Sequence, residues 1–266
     1  MYLIKILRNS KKVAVSGWNL GIRSSFGDLI IIAGAHSIYP PDYVRKCVEN
    51  SDKADNVGGG IISVVHQDAS GLSRALTISR DDIFGSGKAV FRQNAEVPTY
   101  VDTVFGGCYR REVFEKIGYF NEKLHRSGDL EFNLRMKEAG LKTLYVPEIK
   151  SFYYARTGFR DFVKHNFKDG IWSVLMTKYS SVSFGTRRLV PMVFLITLPV
   201  SIVPYAPLCF ARSAQIAYRE KDWRLFFTMP IAFFSLHVSY GLGSAWALCK
   251  LLKETLWKKK EFVLDV

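Results

Sequence analysis

Asp129 is the side chain whose position most suggests chemistry. It opens an amphipathic stretch, Asp129 to Ala139, in which Leu130, Leu134 and Met136 lie among Glu131, Arg135, Lys137 and Glu138, and Gly140 supplies a helix end. At a helix N-terminus the backbone dipole favours the anion, so this carboxylate stays ionised and available as a base. A plain helix-start carboxylate beside an N-cap Ser127 is the other reading of the same residues. The four cysteines, Cys47, Cys108, Cys209 and Cys249, lie far apart and form no CxxC, which implies neither a disulfide frame nor a zinc site and suits a reducing compartment.

The elements that must position such groups follow from patterning. Short β-branched runs alternate with Gly- or Asp-marked turns and helical stretches over residues 1 to about 160, which predicts an α/β layered domain. Asp28 to Ala33 reads as a central strand covered on both faces. Tyr43 to Ser51 reads as a helix after Pro40-Pro41, and Ile61 to Val65 as a strand after the glycines at 58 to 60. Further elements are a helix near Ala69 to Ile83, a strand over Val101 to Phe105 running into Gly106-Gly107, a helix over Arg110 to Ile117 stopped by Gly118, and a strand over Leu144 to Ile149.

Composition places the remainder. The 266 residues carry 37 Lys+Arg against 24 Asp+Glu, a formal charge of +13, and 48% are hydrophobic, which rules out a disordered chain. A mean hydropathy of +0.04 is high for so basic a sequence, and the apolar residues gather at the C-terminal end. Leu189 to Phe210 and Leu225 to Cys249 carry no formal charge, His237 being the one titratable group of the second; about 20 such residues cross a bilayer core. A membrane hairpin over 189–252 is expected, with a buried helical core as the alternative. Pro191, Pro199, Pro204 and Pro207 break the first segment or make it re-entrant. Nine Lys or Arg flank the outer ends against four in the connector Ala211 to Arg224, which places both termini in the cytosol. No aromatic-interleaved basic stripe points to nucleic acid, so the basic excess is read as meeting anionic headgroups and a negatively charged ligand. The opening MYLIKILRNSKK is too short an apolar run for a secretory signal.

Several strings in order carry a resemblance: Asn19-Leu-Gly-Ile22, Gly27-Asp28-Leu-Ile-Ile, His36 with Tyr39-Pro40, VGGG at 57 to 60, FGSGKAVFR at 84 to 92, VDTVFGGCYRREVFEKIGYFNE at 101 to 122, RSGDLEFNLRMKEAG at 126 to 140 and KHNFKDGIW at 164 to 172. Together they resemble inverting family 2 glycosyltransferases of GT-A fold, in particular the membrane-attached subgroup that builds exopolysaccharides of the succinoglycan type. The resemblance implies an incomplete GT-A, Rossmann-like mixed sheet over 1–160, an amphipathic connector over 161–188, the hairpin over 189–252 and a basic cytoplasmic tail over 253–266.

It also implies roles. A hexose moves from a nucleotide sugar, expected to be UDP-linked, to a lipid-linked or growing polysaccharide acceptor at the cytoplasmic face of the inner membrane, with Asp129 as general base. Gly128 stands where the family usually has Glu. Asn19, Gly34, Ala35 and His36 fall in the donor half, Asn19 reaching the nucleotide or simply capping a turn; His36 is the implied ligand of Mg²⁺ or Mn²⁺ or a loop histidine with no ligand role, since Gly34 replaces the family's first carboxylate and hard cations want oxygen donors. Gly106 and Gly107 would let a backbone pass close to a sugar, or form a turn. Lys168 could neutralise phosphate; Trp172 could stack on a sugar or anchor at the membrane interface. The family's first strand and helix are missing before Asn9, so either the chain is a fragment or a protein partner covers the exposed sheet edge. A non-catalytic, membrane-attached assembly subunit is the competing reading.

Overall fold

The computed structural model describes residues 4–65, 69–87, 90–93, 95–155, 158–182 and 185–264. In chain order its elements are α1 (Ala14–Ser24), β1 (Leu29–Ile31), β2 (Ser37–Ile38), α2 (Tyr43–Asn50), β3 (Asn56–Val64), α3 (Gly71–Asp81), α4 (Ile83–Ser86), α5 (Val90–Gln93), β4 (Thr99–Tyr100), β5 (Phe105–Arg110), α6 (Arg111–Ile117), α7 (Gly128–Glu138), β6 (Thr143–Tyr154), α8 (Phe159–Tyr179), a 3-10 turn (Thr186–Leu189), α9 (Val190–Ile196), α10 (Leu198–Arg219) and α11 (Arg224–Leu264). They divide into two units, Met1–Ile62 with Val90–Tyr153, and Ser63–Ala89 with Tyr154–Val266. Lys88 and Ala89 of the FGSGKAVFR string, residues 183–184 of the expected connector and the last two residues of the tail lie outside the described residues.

The first unit is an α/β layer structure. Its sheet runs β1-β5-β3-β6-β2, with β4 also on β6. One face buries Val15 and Ile22 of α1, Val113 and Phe114 of α6, and Phe132 and Met136 of α7 against Ile30 and Tyr109. Tyr43 and Cys47 of α2 pack on the opposite face with Val57, Cys108, Val146 and Ile149. Tyr109 and its neighbour Cys108 thus serve opposite layers, as strand alternation requires.

Three strand expectations shift. The apolar run at 29–31 is covered on both faces, Ile30 by one cluster and Leu29 and Ile31 by the other, yet β1 ends the sheet order and pairs only with β5 among the described strands; burial made it apolar, not a central place. The glycines at 58–60 belong inside β3 instead of preceding it. A Cβ on Gly59 would lie 1.5 Å from the Ile149 carbonyl oxygen, so only glycine lets β3 approach β6 this closely. The strand expected over 101–105 is found as β5, which begins at Phe105 where the expected one ends; Gly106 within it takes a φ of 61°, and β3 and β5 shift register between Val57 and Gly59. Helix α1 was not anticipated, although Val15, Trp18 and Ile22 recur at helical spacing. The helix ends at Gly118 and Gly140 are as expected, with φ of 80° and 77°.

In the second unit Leu76 of α3, Phe162 of α8, Ile216 of α10 and Leu225, Met229 and Phe233 of α11 form the core. Arg74 reaches Asp222 at 2.6 Å, and Arg212 reaches the buried Asp82 at 2.7 Å. Helices α8 and α11 touch backbone to backbone: a Cβ on Gly170 would lie 2.0 Å from the Tyr240 oxygen, and one on Gly243 2.0 Å from that of Phe167, the close approach that small residues permit. Arg224–Thr255 is long and apolar enough to cross a membrane, whereas the expected first span is two helices, Thr186–Ile196 and Leu198–Arg219, bent by 107°. The break falls at Thr197, just before Pro199, which has no N–H to continue the ladder.

Gly59→Ala is expected to cost about 3 kcal/mol through overpacking, while Gly21→Ala, with nothing within 4 Å of the new methyl, is expected to add about 0.5–1 kcal/mol of helix stability; thermal unfolding in detergent measures both. The Asp222 carboxyl is pushed down from 3.8 to about 2, first by the Arg224 hydrogen bond. Its contribution to stability is therefore complete above 3.8 and lost as pH falls toward 2, and Asp222→Asn should flatten the melting temperature over that acid window.

Candidate active site

The first turn of α7 presents Asp129 to solvent. Ser127 holds the N-cap position with a left-handed φ of 56° and makes no side-chain cap bond, so the helix start is not fixed by the expected serine cap. Gly128 fixes it instead: a Cβ there would lie 2.4 Å from Cγ1 of Val15, so α1 presses directly on the α7 backbone. The glycine that departs from the family pattern is the residue this packing demands.

Beneath Asp129 lies a buried polar network. Asn133, one turn further along the same helical face, accepts from the Tyr109 hydroxyl at 3.0 Å and donates to Thr103 Oγ1 at 2.9 Å. The Asn56 amide reaches Asn133 Oδ1 and Thr143 Oγ1, both at 3.4 Å. Burial raises the Tyr109 hydroxyl well above its ordinary pKa, and the negative charge of Asp129 adds to the rise; Tyr109 therefore stays a neutral donor. Tyr109, Asn133, Thr103 and Asn56 were not singled out from sequence, although the Asp129 to Asn133 interval is the i,i+4 spacing of one helix face.

The other expected site residues are placed as follows. Asn19 is buried; its Nδ2 donates to the Phe120 carbonyl at 2.9 Å and to Glu122 at 3.0 Å, and its Oδ1 accepts from the Phe120 N–H at 3.0 Å. The amide thus ties α1 to the segment before α7. Gly34, Ala35 and His36 make a tight turn in which the Ser37 N–H donates to the Gly34 carbonyl at 3.1 Å and the Gly34 N–H donates to Tyr39 Oη at 2.7 Å. The exposed His36 ring meets Tyr153 edge-on at 5.0 Å and sits 2.8 Å from where a Gly34 Cβ would be. Gly106 and Gly107 lie in β5, where Cβ atoms would come 2.8 Å from Tyr43 Oη and 2.5 Å from Asn56 Oδ1. Lys168 and Trp172 lie on α8 in the second unit, the Trp172 ring 6.3 Å from that of Tyr179.

The turn at 34–36 does not fit Mg²⁺ or Mn²⁺ well. Its one side-chain donor is an imidazole, hard cations take oxygen ligands, and no group of three or more His, Cys, Asp or Glu gathers among the described residues.

The sheet and the helix-start carboxylate define an α/β domain of the GT-A-like class. Its fold is shared by the mannosyltransferase PcManGT from Pyrobaculum calidifontis in complex with GDP-Man and Mn²⁺, with a TM-score of 0.52 and 13% identity, over 87% of this chain and 66% of that one. The pattern of glycosyl transferase family group 2 matches residues 29–250, and the chain belongs to that family. Among curated relatives, a dolichyl N-acetyl-alpha-D-glucosaminyl phosphate 3-beta-D-2,3-diacetamido-2,3-dideoxy-beta-D-glucuronosyltransferase of Methanococcus voltae is 27% identical over 90% of this chain and 77% of its own. The succinoglycan biosynthesis protein ExoA of Rhizobium meliloti is 22% identical over 82% of this chain and 70% of its own.

Asn133→Leu leaves the buried Tyr109 hydroxyl without its acceptor and should cost about 1–3 kcal/mol. Adding Tyr109→Phe should restore part of that loss, since both partners are then apolar; thermal unfolding of the two variants measures it.

Proposed function

We propose that this glycosyltransferase moves a hexose from a nucleotide sugar to a lipid-linked or growing polysaccharide acceptor, with inversion at the anomeric carbon. The acceptor oxygen forms the new bond to that carbon as the bond to the nucleoside diphosphate breaks, and the hydroxyl proton passes to the Asp129 carboxylate. The observation that carries this is the exposed Asp129 at the positive end of α7, where the dipole favours the anion. In this reading the turn Gly34-Ala35-His36 borders the donor and Gly106-Gly107 the acceptor. The lipid-linked acceptor is supported by the dolichyl phosphate in the name of the Methanococcus relative, and the polysaccharide by that of the Rhizobium relative. Attachment to a membrane is supported by the apolar helix Arg224–Thr255.

A second reading, a non-catalytic assembly subunit, is favoured by one observation. The Cβ positions of Gly128 and Gly34, where the family carries carboxylates, are filled by Val15 and His36 of the chain itself.

One assay addresses both. Turnover of UDP- and GDP-sugars onto a polyprenyl-phosphate-linked sugar is expected for the wild-type chain, falling about 10²- to 10⁴-fold in Asp129→Asn, while donor affinity by calorimetry stays unchanged. A folded wild-type protein without turnover selects the second reading, and an unimpaired Asp129→Asn removes Asp129 as the base.

A further inference from the structure

Helix α8 runs alongside α11 in parallel and in step. Phe167 lies against Gly243, Ser173 against Ser244, and Lys178 pairs with Glu254. That register sets Lys164 and Lys168, both exposed, and the His165–Asp169 pair level with Tyr240 to Ser244, the middle of the segment Arg224–Thr255. Were α11 to cross a bilayer, α8 would carry those charges to the depth where they are most costly. Lys164 and Lys168 face solvent, while the His165–Asp169 pair is partly covered. Nearer the start of α11, the Arg74–Asp222 and Arg212–Asp82 pairs bind the α10–α11 connector and α10 to α3 and its C-cap. Helix α3 belongs to the segment that leaves the first unit after Ile62 and re-enters it at Val90. The connector therefore stays on the side of the membrane where α3 is.

The apolar exposure is unequal among the helices. Helix α3 shows no large apolar side chain to solvent and α8 only Phe159 at its first position, whereas Ile196, Val200 and Val203 beside the 107° bend and Phe227, Ile231 and Phe234 on α11 are exposed by 38–77%. Cations border this surface: Arg187 and Lys221 are exposed, and Lys250 stands over the Trp246 ring at 5.5 Å, an arrangement suited to anionic headgroups above acyl chains.

We infer that the second unit lies along one leaflet of an anionic bilayer instead of crossing it, with the apolar sides of α9, α10 and α11 in the acyl region and α3 and α8 in water. This rests on the membrane attachment proposed above and changes its topology: both ends of α11 remain on the side of the sheet domain.

The test adds the full chain to sealed vesicles of phosphatidylethanolamine and phosphatidylglycerol, isolates them by flotation, and labels with a membrane-impermeant maleimide. Reporters are the exposed native Cys249, Trp223→Cys at the start of α11, and Glu115→Cys on α6 of the sheet domain, the latter two on a Cys249→Ser background; the other cysteines are buried. The expected result is the same labelled fraction at all three positions without detergent. Labelling of Cys249 complementary to that of Glu115→Cys overturns the inference and leaves membrane attachment intact. A chain that does not float removes both, and the transfer assay remains an independent measure of the glycosyltransferase reading.

Discussion

Backbone meeting backbone without an intervening side chain is the constraint on which both units rest. In the sheet, β3 lies so close to β6 that a methyl on Gly59 would overlap the Ile149 carbonyl. In the helical unit, Gly170 and Gly243 bring α8 and α11 into direct contact, and Gly85 lies against the Ser79 carbonyl. Close-packed interiors tolerate little added volume, so these glycines decide where the larger side chains can go. The aromatic cluster of Tyr109, Phe114, Phe120 and Phe132, with ring centroids 4.4–6.2 Å apart, fills the space between the sheet and the helices on one face.

The same constraint reaches the chemistry. Asp129 is placed by the residue before it, because Gly128 lets α1 seat against the start of α7. The helix terminus favours the ionised form of the carboxylate, and the Tyr109–Asn133–Thr103 network below anchors the next turn of α7 to β5 and to the loop before it. Every member of that chain has a partner apart from Asn56 Oδ1, which is buried with none among the described residues. A carboxylate held on a rigid helix over a hydrogen-bonded floor is better positioned than one on a loop.

The helical unit solves a different problem, since its composition is that of a membrane hairpin while its helices also pack closely on α3 and α8. The apolar length of α11 is shared among protein neighbours on some sides and open surface on others. Lys164 and Lys168 of α8 lie level with the middle of that apolar segment. Hydropathy counts residues along a chain and carries no information about which helix lies alongside, so it cannot separate an interior helix with one apolar exposed stripe from a span surrounded by lipid.

Several features were fixed by local sequence alone. The α7 helix with Asp129 in its first turn, the stops at Gly118 and Gly140, the α2 helix after Pro40-Pro41, the family and the α/β class all follow from short-range periodicity, capping and ordered motifs. Tertiary structure decided what depends on partners distant in the chain. The place of β1 at the end of the sheet order, the inclusion of the glycines at 58–60 within a strand, the need for glycine at 128 and the Asn133 network each rest on residues tens of positions away. Alternation and propensity report whether a side chain is covered, and only the assembled fold determines what covers it.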